Sequence, residues 1–160
     1  MNRKITISEI AKLNCKTFDK NDLPEILYYL DTGNLKKNRI SHLHKLNTKK
    51  NKIPSRAQRK TKENTILYST VRPNQKHFGF IEKDFKDLVV STGFTTIDVD
   101  DIDLDPKYIY YLLTQNYVTK YLHRIGKGSV SSYPSINPDD LGDLSFDVPV
   151  DIKFQKKISK

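Results

Sequence analysis

Basic side chains concentrated in one stretch are the feature of this sequence with the clearest chemical consequence. Residues 36–62 hold 11 Lys and Arg and no Asp or Glu, in a chain of 160 residues with a net charge of +9. Lysine ammonium groups neutralise phosphates, whereas the planar guanidinium of arginine can bind both acceptors on a guanine edge. We therefore expect the stretch to face a nucleic acid, the alternative being a solvated, flexible loop.

The basic residues divide by chemistry into two groups of candidate DNA contacts. The lysines suit phosphates and the arginines suit base edges. The candidate phosphate contacts are Lys49, Lys50, Lys52, Lys60 and Lys62, and the candidate base readers are Arg39, Arg56 and Arg59. Residues 74–77 add amide and cationic groups, among them Lys76. For Arg72 we expect a structural role on backbone carbonyls, with a phosphate contact as the alternative.

No pattern in the sequence satisfies the requirements of a catalytic or metal site. Asp101, Asp103 and Asp105 alternate as in a calcium loop, but Pro106 stands where the turn needs glycine. GKGS at 126–129 lacks the first glycine of a phosphate loop. His42 and His44 have no Cys or acid nearby in the sequence to complete a metal site. We expect a chain that has no catalytic activity or cofactor of its own.

Length and composition indicate one globular domain. The hydrophobic share is 36%, and the single cysteine, Cys15, excludes an internal disulfide and favours a reducing compartment. The longest apolar run, at 109–113, has five residues, whereas a membrane-spanning helix needs about 20. We expect a soluble, cytoplasmic protein.

The patterning predicts an α+β fold. A short helix over 8–13 capped by Ser8 is followed by a strand over 25–30, and the basic stretch 36–62 is predicted to be a loop with at most one helical turn. The remaining predicted strands cover 65–71, 77–81, 88–99, broken or bulged at Gly93, and 144–150. One helix, capped by Asp105 and started by Pro106, is predicted to run to the glycines at 126–128. Its tyrosines are expected to be core residues rather than DNA contacts.

Four short strings occur along the chain in a particular order: IPSRA at 53–57, TILYSTVRPN at 65–74, VVSTGF at 89–94 and GSVSSYPSINPDDL at 128–141, with FQKKI at 154–158. Together they resemble the target recognition domain of type I restriction-modification specificity subunits. The resemblance implies a compact fold in which helices pack on a mixed, twisted β-sheet. It implies a domain over 1–150, with 36–62 as a DNA-facing loop. Residues 151–160 would then be a tail or the truncated start of a long spacer helix.

The resemblance also implies a function. Such a domain would recognise one half of a bipartite DNA target and position an adenine methyltransferase subunit over it, with a restriction and translocase subunit completing the complex. S-adenosylmethionine would bind only to the methyltransferase subunit. A second half-subunit or a homodimer would supply the other half-site. An excised domain, a natural half-subunit and a silent cassette remain alternative origins.

Shared strings cannot discriminate between different targets, so we expect them to hold the fold while variable residues read DNA. Two alternative functions remain open. The chain could be a protein-binding module or inhibitor that occupies the methyltransferase without selecting DNA. It could also be a general basic nucleic-acid binder that accepts RNA as well as duplex DNA.

Overall fold

The computed structural model describes residues 1–128 and 134–160, so residues 129–133 of the fourth string lie outside the described residues. The strands are β1 (Asn2–Thr6), β2 (Ala11–Leu13), β3 (Ile26–Leu30), β4 (Leu35–Lys36), β5 (Arg39–Ile40), β6 (His44–Asn47), β7 (Ala57–Lys60), β8 (Ile66–Ser69), β9 (Phe78–Phe80), β10 (Leu88–Ser91), β11 (Phe94–Val99) and β12 (Ser145–Pro149). The α-helices are α1 (Ile7–Ile10), α2 (Pro106–Leu113), α3 (Asn116–Gly126), α4 (Pro138–Gly142) and α5 (Ile152–Ile158).

The strands form two four-stranded sheets and two smaller pairs. The first sheet has the order β6-β3-β10-β7 and the second sheet has the order β2-β11-β8-β9. Strand β1 pairs with β12, and β4 pairs with β5. Strands β3 and β10 are parallel, and the other pairings are antiparallel. The predicted α+β class with a mixed sheet is confirmed, with the strands divided between two main sheets.

Alternation along the central strands builds the core in layers. In β8, Ile66 and Tyr68 face the helices in a cluster that includes Leu113. Leu67 points to the opposite side and packs with Val90 of the first sheet. Successive side chains of a strand project to opposite faces, so one strand contributes to both cores. The helices therefore cover one face of the second sheet, and the first sheet covers the other.

The helix predicted for residues 8–13 is wrong in its extent. Helix α1 is a single turn, with Thr6 at its N-cap and no side-chain capping bond, and residues from Ala11 onward form β2. Strand β2 pairs with β11, placing Leu13 opposite Ile97. The sheet edge therefore overrides the local preference for helix.

The prediction that residues 36–62 form a loop is also wrong. The stretch contains β5, β6 and β7, and β6 and β7 are the two edge strands of the first sheet. An edge strand can carry lysines because its outer side faces solvent, so it needs little apolar periodicity. The loop between β6 and β7 is held on the sheet by Ile53, which packs against Leu27, Tyr29 and Val89.

The single helix predicted after Asp105 is in fact two helices. The cap is confirmed, because the Asp105 carboxylate accepts from the Tyr108 amide at 3.2 Å, with Pro106 at the first position. The backbone is extended at Gln115, and α3 begins at the next residue. Tyr110 is buried in the core, whereas Tyr117 is 64% exposed. The expectation that the helix tyrosines are core residues therefore holds only in part.

The C-terminal region pairs with the N-terminus. The strand predicted at 144–150 is confirmed as β12, and its partner β1 was not predicted from the sequence. Residues 152–158 form α5, whose N-cap Asp151 accepts from the Lys153 amide at 2.8 Å. The domain boundary at 150 stays a prediction. No helix within 1–128 and 134–160 has the length and apolar character needed to cross a membrane.

Candidate nucleic-acid interface

The four strings converge on one point of the fold through backbone hydrogen bonds. The Thr92 amide of VVSTGF donates to the Arg56 carbonyl of IPSRA at 2.9 Å, and the Thr70 amide of TILYSTVRPN donates to the Gly93 carbonyl at 2.9 Å. The Ile136 amide of the fourth string donates to the Thr70 carbonyl at 2.8 Å. We name these five residues the motif junction. These bonds join the backbones of the strings at the motif junction.

Gly93 is at the closest approach within the motif junction. A Cβ atom at this position would lie 2.7 Å from Cγ2 of Thr32, which follows β3. The Gly93 amide also donates to the Ser91 hydroxyl at 3.1 Å. A glycine is therefore needed where the β10–β11 turn meets the end of β3. These contacts support the expectation that the shared strings hold the fold.

Arg72 begins an unusual segment beside the motif junction. Its backbone lies in the left-handed region, with φ 48° and ψ 66°, and its amide donates to the Pro134 carbonyl at 2.8 Å. A non-glycine residue in this region is held there by its surroundings. The structure thus fixes the Arg72 backbone. The predicted role of its side chain stays a prediction.

Arg56 lies at the boundary of two adjoining surface grooves. The first groove has a volume of ≈ 580 Å³ and is also lined by Lys52, His44 and Tyr29. The second is also lined by Thr32 and Arg72. Arg56 is common to both grooves, and we name the surface lined by Lys52, Arg56 and Arg72 the junction surface. The Arg56 side chain is exposed, while its backbone is fixed by the bond from Thr92.

Polar groups of β3 border the junction surface. Burial raises the pKa of the Tyr29 hydroxyl, which donates to Asp31 Oδ1 at 3.2 Å. The same carboxylate oxygen accepts from the Thr32 amide at 2.9 Å. Asp31 is therefore engaged in local hydrogen bonds at the start of a 3₁₀ turn. It is an acid beside the cationic groove and opposes the approach of an anion there.

A small basic hairpin, β4–β5, extends the cationic region. It carries Arg39 near its tip, and the Lys37 amide donates to the Lys76 carbonyl at 3.0 Å. Asn38 fixes the hairpin to the second sheet, because its side-chain oxygen accepts from the Phe80 amide at 2.8 Å. Two of the predicted contacts, Arg39 and Lys76, thus belong to elements that touch each other.

Three predicted phosphate contacts lie at the opposite end of the first sheet. Lys49 and Lys50 follow Asn47, which pairs with the first residue of β3, whereas Arg56 lies beyond the last residues of β10. Lys60 pairs with Val89 and lines a groove that contains acidic residues. Those acids are Asp22, Asp84 and Asp87. The structure therefore does not bring Lys49, Lys50 and Lys60 together with the junction surface.

Lys62 also lies away from the junction surface. It is exposed in the turn that leads into β8, where its amide donates to the Thr65 hydroxyl at 3.0 Å. It is near Cys15, whose thiol pKa is raised by burial and by a hydrogen bond to Asp98. Lys62 thus lies at the N-terminal end of β8.

Arg59 differs from the other predicted base readers because it is half-buried. It lies in β7 opposite Val90, a residue of the core between the two sheets. Burial lowers the pKa of its guanidinium, and its Nε has no hydrogen-bond partner among the described residues. A guanidinium in this position has less freedom to reach a base edge than that of Arg56.

The exposed face of α3 was missed by the sequence reasoning. Tyr117, Lys120, Tyr121 and Arg124 are all exposed. Their spacing of three, four and seven residues places them on one side of a helix with 3.6 residues per turn. The guanidinium carbon of Arg124 lies 5.7 Å from the centre of the Tyr121 ring. The spacing was visible in the sequence, but the assumption of one long helix hid it.

The rejected metal sites have structural uses. Asp101 binds Arg3 at 2.7 Å, and Asp105 caps α2. The His42 and His44 rings are 4.4 Å apart, and His44 Nε2 lies 3.2 Å from Asn34 Oδ1. Across the parts of the chain that the structure describes, no three His, Cys, Asp or Glu residues are grouped so as to hold a metal ion.

The fold is that of the specificity subunits of type I restriction-modification systems. The HsdS subunit from Thermoanaerobacter tengcongensis superposes with a TM-score of 0.81 at 20% identity, over 99% of this chain and 40% of that one. A second solved chain, from work on complex assembly and conformational transition of the type I R-M system, also superposes with a TM-score of 0.81. Its sequence identity is 18%, and the match covers 98% of this chain and 40% of that one. The S subunit of the type I system from M. genitalium superposes with a TM-score of 0.58 at 19% identity, over 99% of this chain and 37% of that one.

A sequence relative agrees with the fold. The chain is 29% identical over 156 residues to the specificity subunit of the type I restriction enzyme HindI from Haemophilus influenzae. The match covers 98% of this chain and 33% of the relative, so the chain spans about a third of its length. No family model matches. The predicted resemblance to type I specificity subunits is confirmed, over the length of one domain.

Proposed function

We propose that the chain recognises a DNA sequence as one target recognition domain of a type I restriction-modification system. It reads one half of a bipartite target and presents it to an adenine methyltransferase subunit, and a restriction and translocase subunit completes the complex. The other half-site is read by a second specificity half-subunit or by a second copy of the chain. The chain contributes recognition and leaves the chemistry, including S-adenosylmethionine binding, to its partners.

The observation that carries this proposal is the junction surface. The shared strings fix a rigid backbone there, while Lys52, Arg56 and Arg72 line its grooves. Phosphate contacts set the register of a protein on DNA, so these cations position the domain, while Arg39, outside the shared strings, reads a base edge. The similarity to specificity subunits over 98% of the chain supports the same conclusion.

Selection from a random duplex library, followed by binding to the enriched duplex across a salt series, tests the proposal. If about five of the basic residues contact phosphates, the slope of log affinity against log salt is about −4 to −5. Arg39→Ala, a change outside the shared strings, is expected to cost about 1–3 kcal/mol and to relax the selected sequence. Lys156→Ala, an exposed cation on α5, is the control and should change neither.

Salt-insensitive binding with no enriched sequence would contradict the proposal. If the chain then bound a methyltransferase subunit tightly, the protein-binding module would be favoured instead. Equal affinity for RNA and duplex DNA would favour a general basic binder. A separate assay tests whether the chain has catalytic activity. The purified chain alone should transfer no labelled methyl group to DNA.

A further inference from the structure

The exposed face of α3 presents tyrosines and cations together. Helix α3 has no acidic residue, and its buried side consists of Val118, Thr119, Leu122 and Gly126. At about 100° per residue, the centre of the exposed face is nearly opposite that buried side. We name the exposed residues Tyr117, Lys120, Tyr121 and Arg124 the α3 face. Tyr117 is 64% exposed and Tyr121 is 42% exposed.

Helix α3 is fixed beside the segment that carries Arg72 and Lys76. At its N-terminal end, Lys76 Nζ donates to Asn116 Oδ1 at 2.9 Å. At its C-terminal end, Gly126 meets Ser135, whose amide donates to the Gly126 carbonyl at 3.3 Å. Ser135 in turn pairs with Val71, the neighbour of Arg72. The helix therefore runs alongside residues 71–76, which include Arg72, a residue that lines a groove of the junction surface.

The chemistry of the α3 face suits a phosphate backbone. Lysine, arginine and tyrosine side chains are among the groups that bind phosphate oxygens in protein–DNA complexes. The Arg124 guanidinium lies 5.7 Å from the Tyr121 ring centre, a cation–π contact that orients it before any partner arrives. An acidic protein surface would match the charge as well, but continuity with the cations at 72–76 favours the nucleic acid.

We infer that the α3 face binds the sugar-phosphate backbone of duplex DNA and extends the interface beyond the grooves around Arg56. This inference rests on the proposed function. Lys120 and Arg124 each neutralise one phosphate, and the Tyr117 hydroxyl donates a hydrogen bond to a phosphate oxygen. The contact carries no sequence information, so it raises affinity for every duplex equally.

The test compares two double variants of the full chain that remove equal charge. K120A/R124A changes the α3 face, and K156A/K157A changes exposed lysines of α5. Binding to a short fluorescein-labelled duplex of mixed sequence is measured by anisotropy from about 0.1 M to 1 M salt. Each lost phosphate contact reduces the magnitude of the log–log slope by about 0.9, so K120A/R124A should reduce it by about 1.8. If the affinities converge near 1 M salt, binding at 0.1 M weakens about 60-fold.

A tyrosine variant gives an independent readout. Tyr117→Phe removes an uncharged donor, so we expect about threefold to tenfold weaker binding with the wild-type slope. If the wild type shows salt-dependent binding but K120A/R124A matches K156A/K157A, the inference about α3 is overturned while the proposed function stands. If the wild type does not bind duplex DNA, both are overturned. The variants alter exposed side chains, and unchanged thermal unfolding verifies their folding.

Discussion

Gly93 offers the sharpest perturbation of the motif junction, because an added methyl group there meets a side chain that is held in place. The Cβ atom of Gly93→Ala would lie 2.7 Å from Thr32 Cγ2. Thr32 has little room to retreat, since its amide is bound by Asp31 at 2.9 Å at the start of a 3₁₀ turn. Gly93 does not have a positive φ, so steric contact rather than backbone strain decides the outcome.

The expected magnitude is the difference between two effects. Overpacking of a tight site costs about 1–3 kcal/mol, while replacing glycine by alanine stabilises by about 0.4–1 kcal/mol through the unfolded chain. We expect Gly93→Ala to lower the free energy of unfolding by about 1.5 kcal/mol, corresponding to a fall in Tm of about 3–6 °C for a domain of this size. Urea unfolding followed by circular dichroism measures it.

Gly33→Ala is the matched control, because a Cβ at Gly33 would meet nothing within 4 Å and its φ is also not positive. It should be neutral or slightly stabilising. Thr32→Ser removes the clashing methyl group, so the double variant with Gly93→Ala should recover most of the lost stability. The reasoning would be refuted if Gly93→Ala were as stable as Gly33→Ala, or if Thr32→Ser gave no recovery.

Three groups away from the motif junction lead to further predictions. Gln155 is fully buried, and its side chain bonds the Asp105 amide at 2.9 Å and the Pro149 carbonyl at 2.8 Å. Gln155→Leu should lower the free energy of unfolding in urea by about 3 kcal/mol. A loss below about 1 kcal/mol would show that these backbone groups find other partners. Asp105→Ala removes the α2 cap and a bond from the Ser159 hydroxyl, so a loss of about 1–2 kcal/mol is expected, whereas an unchanged Tm would contradict it. Burial raises the pKa of Tyr110 to about 12; the folded state then holds the proton more tightly, so the stability this proton provides is complete below about pH 10 and is lost as pH rises towards 12. Tyr110→Phe should flatten the fall of stability over that range, and an unchanged pH profile would exclude Tyr110 as its source.

The strands of the shared strings could be predicted because their local and long-range preferences agree. Residues 66–69 and 94–99 are rich in branched and aromatic side chains, and both are fully or largely buried. The Asp105–Pro106 start of α2 was equally clear, since an acceptor followed by proline is a strong helix signal. In these segments the local sequence alone determines the secondary structure.

The errors occur where a partner distant in sequence decides the structure. Strand β1 has two charged residues among its five and gains its conformation from pairing with β12, more than 130 residues later. Strands β6 and β7 lie at the edges of a sheet and bury few side chains, so their lysines gave no strand periodicity. The break at Gln115 carries no proline or glycine and was not visible in the sequence.

The candidate site was predictable in composition but not in arrangement. The charge count identified the basic stretch. It could not show that Lys49 and Lys60 lie at one end of the first sheet while Arg56 lies at the other end. Arg59 shows the same difficulty, because strand direction and burial remove it partly from solvent. Only the pairing of strands determines which cations share a surface.

The pairing of β1 with β12 places the N-terminal residue next to the start of α5, since the Val150 amide donates to the Met1 carbonyl at 3.2 Å. A glycine-serine linker that spans the seven residues of α5, about 10 Å, could therefore join residue 160 to residue 1 and leave the buried Gln155 in place. New termini would then fit between Lys83 and Lys86, whose side chains are exposed. In such a circular permutant β12, α5 and β1 would follow one another in the chain, and the surface around Arg56 would keep its shape while the order of the chain changed.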